Sequence, residues 1–228
     1  MNRPVFFYMI TDTLAKLSTA TLLTVGQLLT PLAPAENILS SHEMSLEKRY
    51  YPVQKENILL NMAYLRGKEG PLHMDGRVSK KEDINWDEIK KPFKSEFRLE
   101  PGQVFAYHDD ILPQFEGKNI KTQSSHFMAN EGYVSAGYLV GDGVCHSASL
   151  IYWAALDAGL EALAPTDHDF MAIPEIESKY GVSIYANPES KGSNTKQNLY
   201  ITNNKEHPVE FKFDYNGDKL KISIVEVN

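Results

Sequence analysis

One cysteine among 228 residues has nothing to pair with inside the chain, so no internal disulfide supports this fold. Basic residues are also scarce as clusters. With a formal net charge of −7 there is no cationic stripe to displace counterions from phosphates, which argues against nucleic acid as a partner. The densest basic group, Lys90, Lys91 and Lys94, is diluted by Asp87, Glu88 and Glu96 and reads as a solvated helix face. His108-Asp109-Asp110 and Asp167-His168-Asp169 offer nitrogen and oxygen ligands, but neither has the paired spacing of a zinc motif on one helix face. No metal and no cofactor is expected. Internal repeats and low-complexity tracts are absent, and the apolar content of 42% suits an ordinary globular core.

Charge is missing altogether from Leu17 to Ala35. Arg3 and Lys16 precede this stretch, Leu22, Leu23, Val25, Leu28, Leu29 and Leu32 form its apolar centre, and Ala33-Pro34-Ala35 closes it. A basic start, an apolar run and a small-x-small ending predict a signal peptide or N-terminal anchor over residues 1–35. The protein is therefore expected to be exported or envelope-associated, with any membrane attachment running through that segment. An unpaired cysteine outside the cytoplasm is an oxidation liability unless it is buried or used.

Residues 36–95 read as a helical and loop region, with a short helix over 57–65 and Trp86 as an anchor. From 96 onward the pattern tightens. Gln103–Tyr107 and Asn198–Thr202 read as strands, Gly132–Val140 as extended, and residues 146–158 as a mostly buried helix stopped by Gly159. Val209–Tyr215 alternates apolar with charged side chains, and Asn216-Gly217 is a hairpin turn leading into 219–225. The fold class is α+β, with the buried helix packed on an antiparallel sheet.

Cys145 sits in Gly141-Asp142-Gly143-Val144-Cys145-His146, at the predicted start of that helix. Free backbone N–H groups and the helix dipole at such a position favour a thiolate nucleophile; the bland alternative is a small buried core residue. A nucleophilic thiol needs a base. His42, His73 and His207 lie in polar, loop-like contexts. His146 follows the cysteine directly and points about 100° away on a helix. His108 and His126 are weaker candidates than His168, which comes after the helix and before Phe170–Ile173, itself read as a strand. A cysteine at a helix start followed by a histidine at a later strand is the chain order of papain-like and transglutaminase cores.

Pro101-Gly102-Gln103-Val104-Phe105, then Gly143-Val144-Cys145 with Tyr152, Ala155 and Ala158-Gly159-Leu160, then His168, and Asn203-Asn204 with Pro208, together resemble the VanW domain of bacterial cell-envelope proteins over roughly residues 96–226. The chain departs from the family at Asp142, His146 and Ala148, and at Lys179-Tyr180-Gly181-Val182, where the family carries a carboxylate. The resemblance implies a catalytic domain over 96–228 linked to vancomycin resistance. It further implies a cysteine L,D-transpeptidase-like transferase acting on peptidoglycan stem peptides, forming a thioester at Cys145 and releasing terminal D-alanine. His168 would be the base, and Glu175 or Glu177 its orienting group. The backbone N–H groups of Cys145 and His146 would serve as oxyanion donors, with Asp142 and Gly143 flanking, and Tyr107, His108, His126 and Tyr138 would form the substrate groove. Two further readings stand beside it. One is a non-catalytic envelope-binding module with a groove of Phe105, Tyr107, Tyr133, Tyr138 and Trp153; the other is a papain-like amidase.

Overall fold

Alternation over residues 209–215 is realised as β7 (Val209–Tyr215), which buries Val209, Phe211, Phe213 and Tyr215 and leaves Glu210, Lys212 and Asp214 half-buried. Asn216-Gly217 turns the chain into β8 (Lys219–Glu226), placing Phe211 opposite Ile224 and Phe213 opposite Ile222. In this computed structural model, which describes residues 36–67, 84–123, 125–137, 139–187 and 189–227, the hairpin is the middle of a larger sheet. β1 (Asn37–Ser45) and β2 (Phe93–Leu99) add to its two edges in the order β1-β8-β7-β2, antiparallel throughout.

The second sheet has the order β4-β3-β6-β5, built from β3 (Val104–Ala106), β4 (Ile120–Thr122), β5 (Glu161–Leu163) and β6 (Tyr200–Thr202). It is mixed, since β3 and β4 run parallel. Phe97 joins the sheets, stacking on Phe211 at 4.7 Å and on Phe105 at 4.8 Å between ring centres. The α+β class and the antiparallel sheet under the helix agree with the sequence reading. The residues described from Glu36 onward belong to one unit; β1 pairs along β8, and position 96 falls inside β2.

Helix α1 (Pro52–Leu65) begins five residues before the predicted start because Pro52 occupies its first position, where a missing N–H costs nothing. α2 (Trp86–Ile89) is a single turn capped by the Asn85 side chain. α3 (Val144–Asp157) is the helix that the apolar run predicts, and it lies against β1 and β8, with the Ser40 hydroxyl donating to the Ala154 carbonyl at 2.7 Å. It ends as expected: Gly159 takes φ +69°, its N–H bonds the Leu156 carbonyl, and the Leu160 N–H reaches back to Ala155. α4 (Lys191–Asn194) is a short surface turn.

Two local expectations are corrected. Residues 170–173 form bends rather than a strand, and the pairing sits just before them, in a bridge between Asp167 and Val182. Within 132–140 the chain folds back instead of running extended, with Ser135 and Val140 paired in an antiparallel bridge. The expected signal or anchor (1–35), His73 and Tyr138 lie outside the described residues.

Candidate active site

Gly143 supplies the N-cap of α3 with φ +103°, a left-handed conformation that glycine adopts without strain. A Cβ there would stand 2.6 Å from the Gln54 carbonyl oxygen and 2.9 Å from its Cα, so α1 closes directly on the turn that presents the cysteine. Asn57 holds the same turn. Its side-chain amide donates to the carbonyls of Val134 and Asp142, both at 2.8 Å, while its oxygen accepts the Val134 N–H at 3.0 Å. Gly143→Ala should therefore cost about 3 kcal/mol, combining left-handed strain with overpacking. Urea denaturation checks this; a loss under 1 kcal/mol would show that α1 yields easily to the turn.

Cys145 is the second residue of α3 and is partly buried. A strand-like segment crosses above it. The Ser149 hydroxyl accepts the Val182 N–H at 2.9 Å, and the cysteine sulfur accepts the Ile184 N–H at 3.4 Å. Four residues along a helix rise about 6 Å, close to two residues of extended chain, so positions 145 and 149 meet 184 and 182 in register. The thiol donates weakly to the Ile184 carbonyl at 3.6 Å. The same segment pairs with 166–168: the His168 N–H bonds Gly181 at 3.2 Å, and the Ser183 N–H bonds Thr166 at 2.9 Å. Gly181 permits that approach, since a Cβ there would sit 3.0 Å from the His168 carbonyl.

The result is a cleft of about 410 Å³ whose walls include Cys145, His146, His168, Asp142, Ile184 and Gln197. Tyr51 and Gln54 enter from the N-terminal segment, and Leu139, Val140, Phe170 and Met171 line it with apolar surface. Phe170 is 70% exposed and Leu139 60%. A larger hollow of about 710 Å³ over the first sheet is walled by Lys94, Glu96, Lys212, Asp214 and Lys221, and is lined by no cysteine or histidine.

Electrostatics here depart from the expectation of a helix-end thiolate. Removal from water pushes the Cys145 thiol up to about 11; the Ile184 N–H and its own N–H pull it down, and Asp142 adds to the rise. Desolvation outweighs the helix terminus, and the group is a thiol at neutral pH. His168 is also lowered by burial, and its Nδ1 is buried with no hydrogen-bond partner. His146 is pushed down to about 3, first by burial, then by Arg49 and His168. The two imidazoles meet edge to face with ring centres 6.2 Å apart. Among the described residues no imidazole hydrogen-bonds the sulfur, so a formed thiol–imidazole pair of the papain type is not present.

The remaining predicted residues are sorted by the structure. Tyr107 is fully buried, its hydroxyl bonded to Ser147 at 2.8 Å and to Asn61, and belongs to the core rather than a groove. His108 is buried too, with Nε2 on the Gln197 carbonyl at 3.0 Å and Nδ1 receiving the Asp110 N–H at 3.3 Å. Its ligand atom lies within 4.8 Å of those of Asp109 and Asp110, yet both ring nitrogens are already engaged by protein groups. His126 pairs with Asp109 at 3.0 Å, away from the cleft. Glu177 pairs with Lys179, and Glu175 with Lys48, the Ser45 N–H and Arg49; neither bonds the His168 ring. Of the two expected oxyanion donors, the His146 N–H is committed to the Gly143 carbonyl at 3.0 Å. Phe105 and Tyr133 are core residues, and Trp153 is stacked between His42 and Tyr180. Residues that the sequence did not single out, Arg49, Tyr51, Gln54 and Ile184, reach the site only through tertiary packing.

A family model described as VanW like protein matches residues 95–225. The chain belongs to the VanW-like family. The VanW-like region spans β2 to β8 and includes Cys145, His168 and the Asn203 side chain, which donates to the carbonyls of Leu99 and His207, both at 3.0 Å, and so ties the end of β2 to the β6–β7 connection. Membership makes this an envelope-related protein of the type associated with vancomycin resistance. No curated protein and no solved structure matches the chain. No helix among the described residues is long and apolar enough to cross a membrane.

Proposed function

We propose that this VanW-like protein is a cysteine acyl-transferase of cell-wall peptides, L,D-transpeptidase-like in its reaction. The observation that supports it best is the placement of one nucleophile and one neutral imidazole, Cys145 and His168, in the same cleft. In the resting state the thiol rests on the Ile184 backbone. A peptide carbonyl entering beside it would displace that weak contact, and rotation of the cysteine side chain would bring the proton to His168. The sulfur then attacks the carbonyl after the third stem-peptide residue. A C–S bond forms, the C–N bond to D-alanine breaks, and His168 returns the proton to the leaving amine. An amine of a second stem, or water, resolves the thioester. The Cys145 N–H would stabilise the oxyanion.

One observation favours the second reading, a non-catalytic envelope-binding module: the thiol is held protonated and without an imidazole partner. Its groove would be the apolar wall of Leu139, Val140, Phe170 and Met171 rather than the buried aromatics. Intact-protein mass analysis after incubation with purified tetrapeptide stem fragments separates the readings. Acyl transfer adds the fragment mass minus D-alanine to Cys145 and frees D-alanine. Binding without any covalent adduct or released amino acid selects the module. Cleavage of a different peptide amide with the tetrapeptide left intact selects a papain-like amidase.

A further inference from the structure

Arg49 lies ahead of the family-matched region, yet its side chain is 1% exposed and ends beside the candidate site. One terminal nitrogen is 3.2 Å from His146 Nδ1 and 3.8 Å from the Met44 sulfur. The other donates to the Pro174 carbonyl at 3.2 Å and lies 3.5 Å from Glu175. A guanidinium only donates, so the nitrogen it meets on His146 must be bare. Arg49 Nε is buried without a partner. A buried, incompletely satisfied guanidinium is a poor device for stability, since an apolar side chain of similar volume does as well or better. Its place beside His146 points to another role.

We propose that Arg49 is a positioning residue that holds His146 as the neutral Nε2–H tautomer, a hydrogen-bond donor toward the cleft, and leaves His168 as the imidazole that takes the cysteine proton. The assignment of His168 rests on the acyl-transfer reading; the state of His146 does not. The charged and titratable groups around His146 are Arg49, with Glu175 and Lys48 behind it, His168 across the edge-to-face contact, and Cys145 and Asp142 on its own turn. Both the fixed cation and burial oppose a proton on His146.

Histidine-labelled full-length protein, titrated from pH 5 to 8 by nitrogen–carbon correlation NMR, tests this without any turnover assay. The wild-type His146 should show Nε2–H and a bare Nδ1 throughout. A protonated Nδ1 anywhere above pH 6 overturns the proposal with no variant needed. In Arg49→Met the donor facing Nδ1 is gone, so Nδ1 should carry a proton in a measurable fraction within this pH range, as the Nδ1–H tautomer or as imidazolium. A folded variant whose Nδ1 stays fully bare overturns the proposal. Arg49→Lys keeps a donor and a charge at the same place, so His146 should stay unprotonated at Nδ1; a titrating His146 there also overturns it, and this variant decides the matter if Arg49→Met does not fold. Failure of acyl transfer with tetrapeptide, by contrast, would leave the tautomer result unchanged.

Discussion

Cys145→Ala should abolish acyl transfer and thioester formation while leaving the fold in place. Loss of a covalent nucleophile removes on the order of a million-fold in turnover. The structural cost is small: the sulfur gives up one N–H contact from Ile184 and little volume, so stability should change by no more than about 1–2 kcal/mol. His168→Ala should lose less, roughly 10²–10⁴-fold, as expected for a general base. Release of D-alanine from tetrapeptide, followed alongside urea denaturation, measures both. Full activity in the alanine variant would rule out covalent catalysis through Cys145.

Iodoacetamide should modify Cys145 far more slowly at pH 7 than it modifies free cysteine. A thiol near 11 instead of about 8.5 carries roughly 300-fold less thiolate at that pH. The rate should climb about tenfold per pH unit and level off only near that value. Asp142→Asn should raise it modestly by removing a neighbouring negative charge, while the acceptor oxygen for the Ala136 N–H is kept. The sign for stability follows from the same shift. The folded pKa lies above the unfolded one, so the contribution is fully present below about pH 8.5 and fades as pH rises toward 11. Cys145→Ala should therefore flatten the alkaline limb of the stability profile. Rapid alkylation at pH 6–7 would mean that the sulfur is ionised and that a cation or imidazole reaches it in solution.

Much of the scaffold was legible because its signals are local. Alternation over 209–215 with Asn216-Gly217 specifies a hairpin wherever it is placed, and an apolar run ended by Gly159 specifies α3 and its cap. Cys145 at the start of that helix could likewise be read from the glycine turn, since Gly143 needs its left-handed φ for purely backbone reasons. The Phe170–Ile173 strand was misread because a short apolar run has the same composition whether it pairs or lines a cleft.

What the sequence by itself determined, then, is the family, the α+β class and the position of the single thiol at a helix N-terminus. Only the tertiary structure decided the character of that thiol. Ile184 lies 39 residues further on and Arg49 nearly 100 residues before it; neither carries a local signal, and both reach the site through packing. A helix end lowers a cysteine pKa through a few oriented N–H groups, but burial acts on the whole charge, so the larger effect was set by which distant segments cover the sulfur.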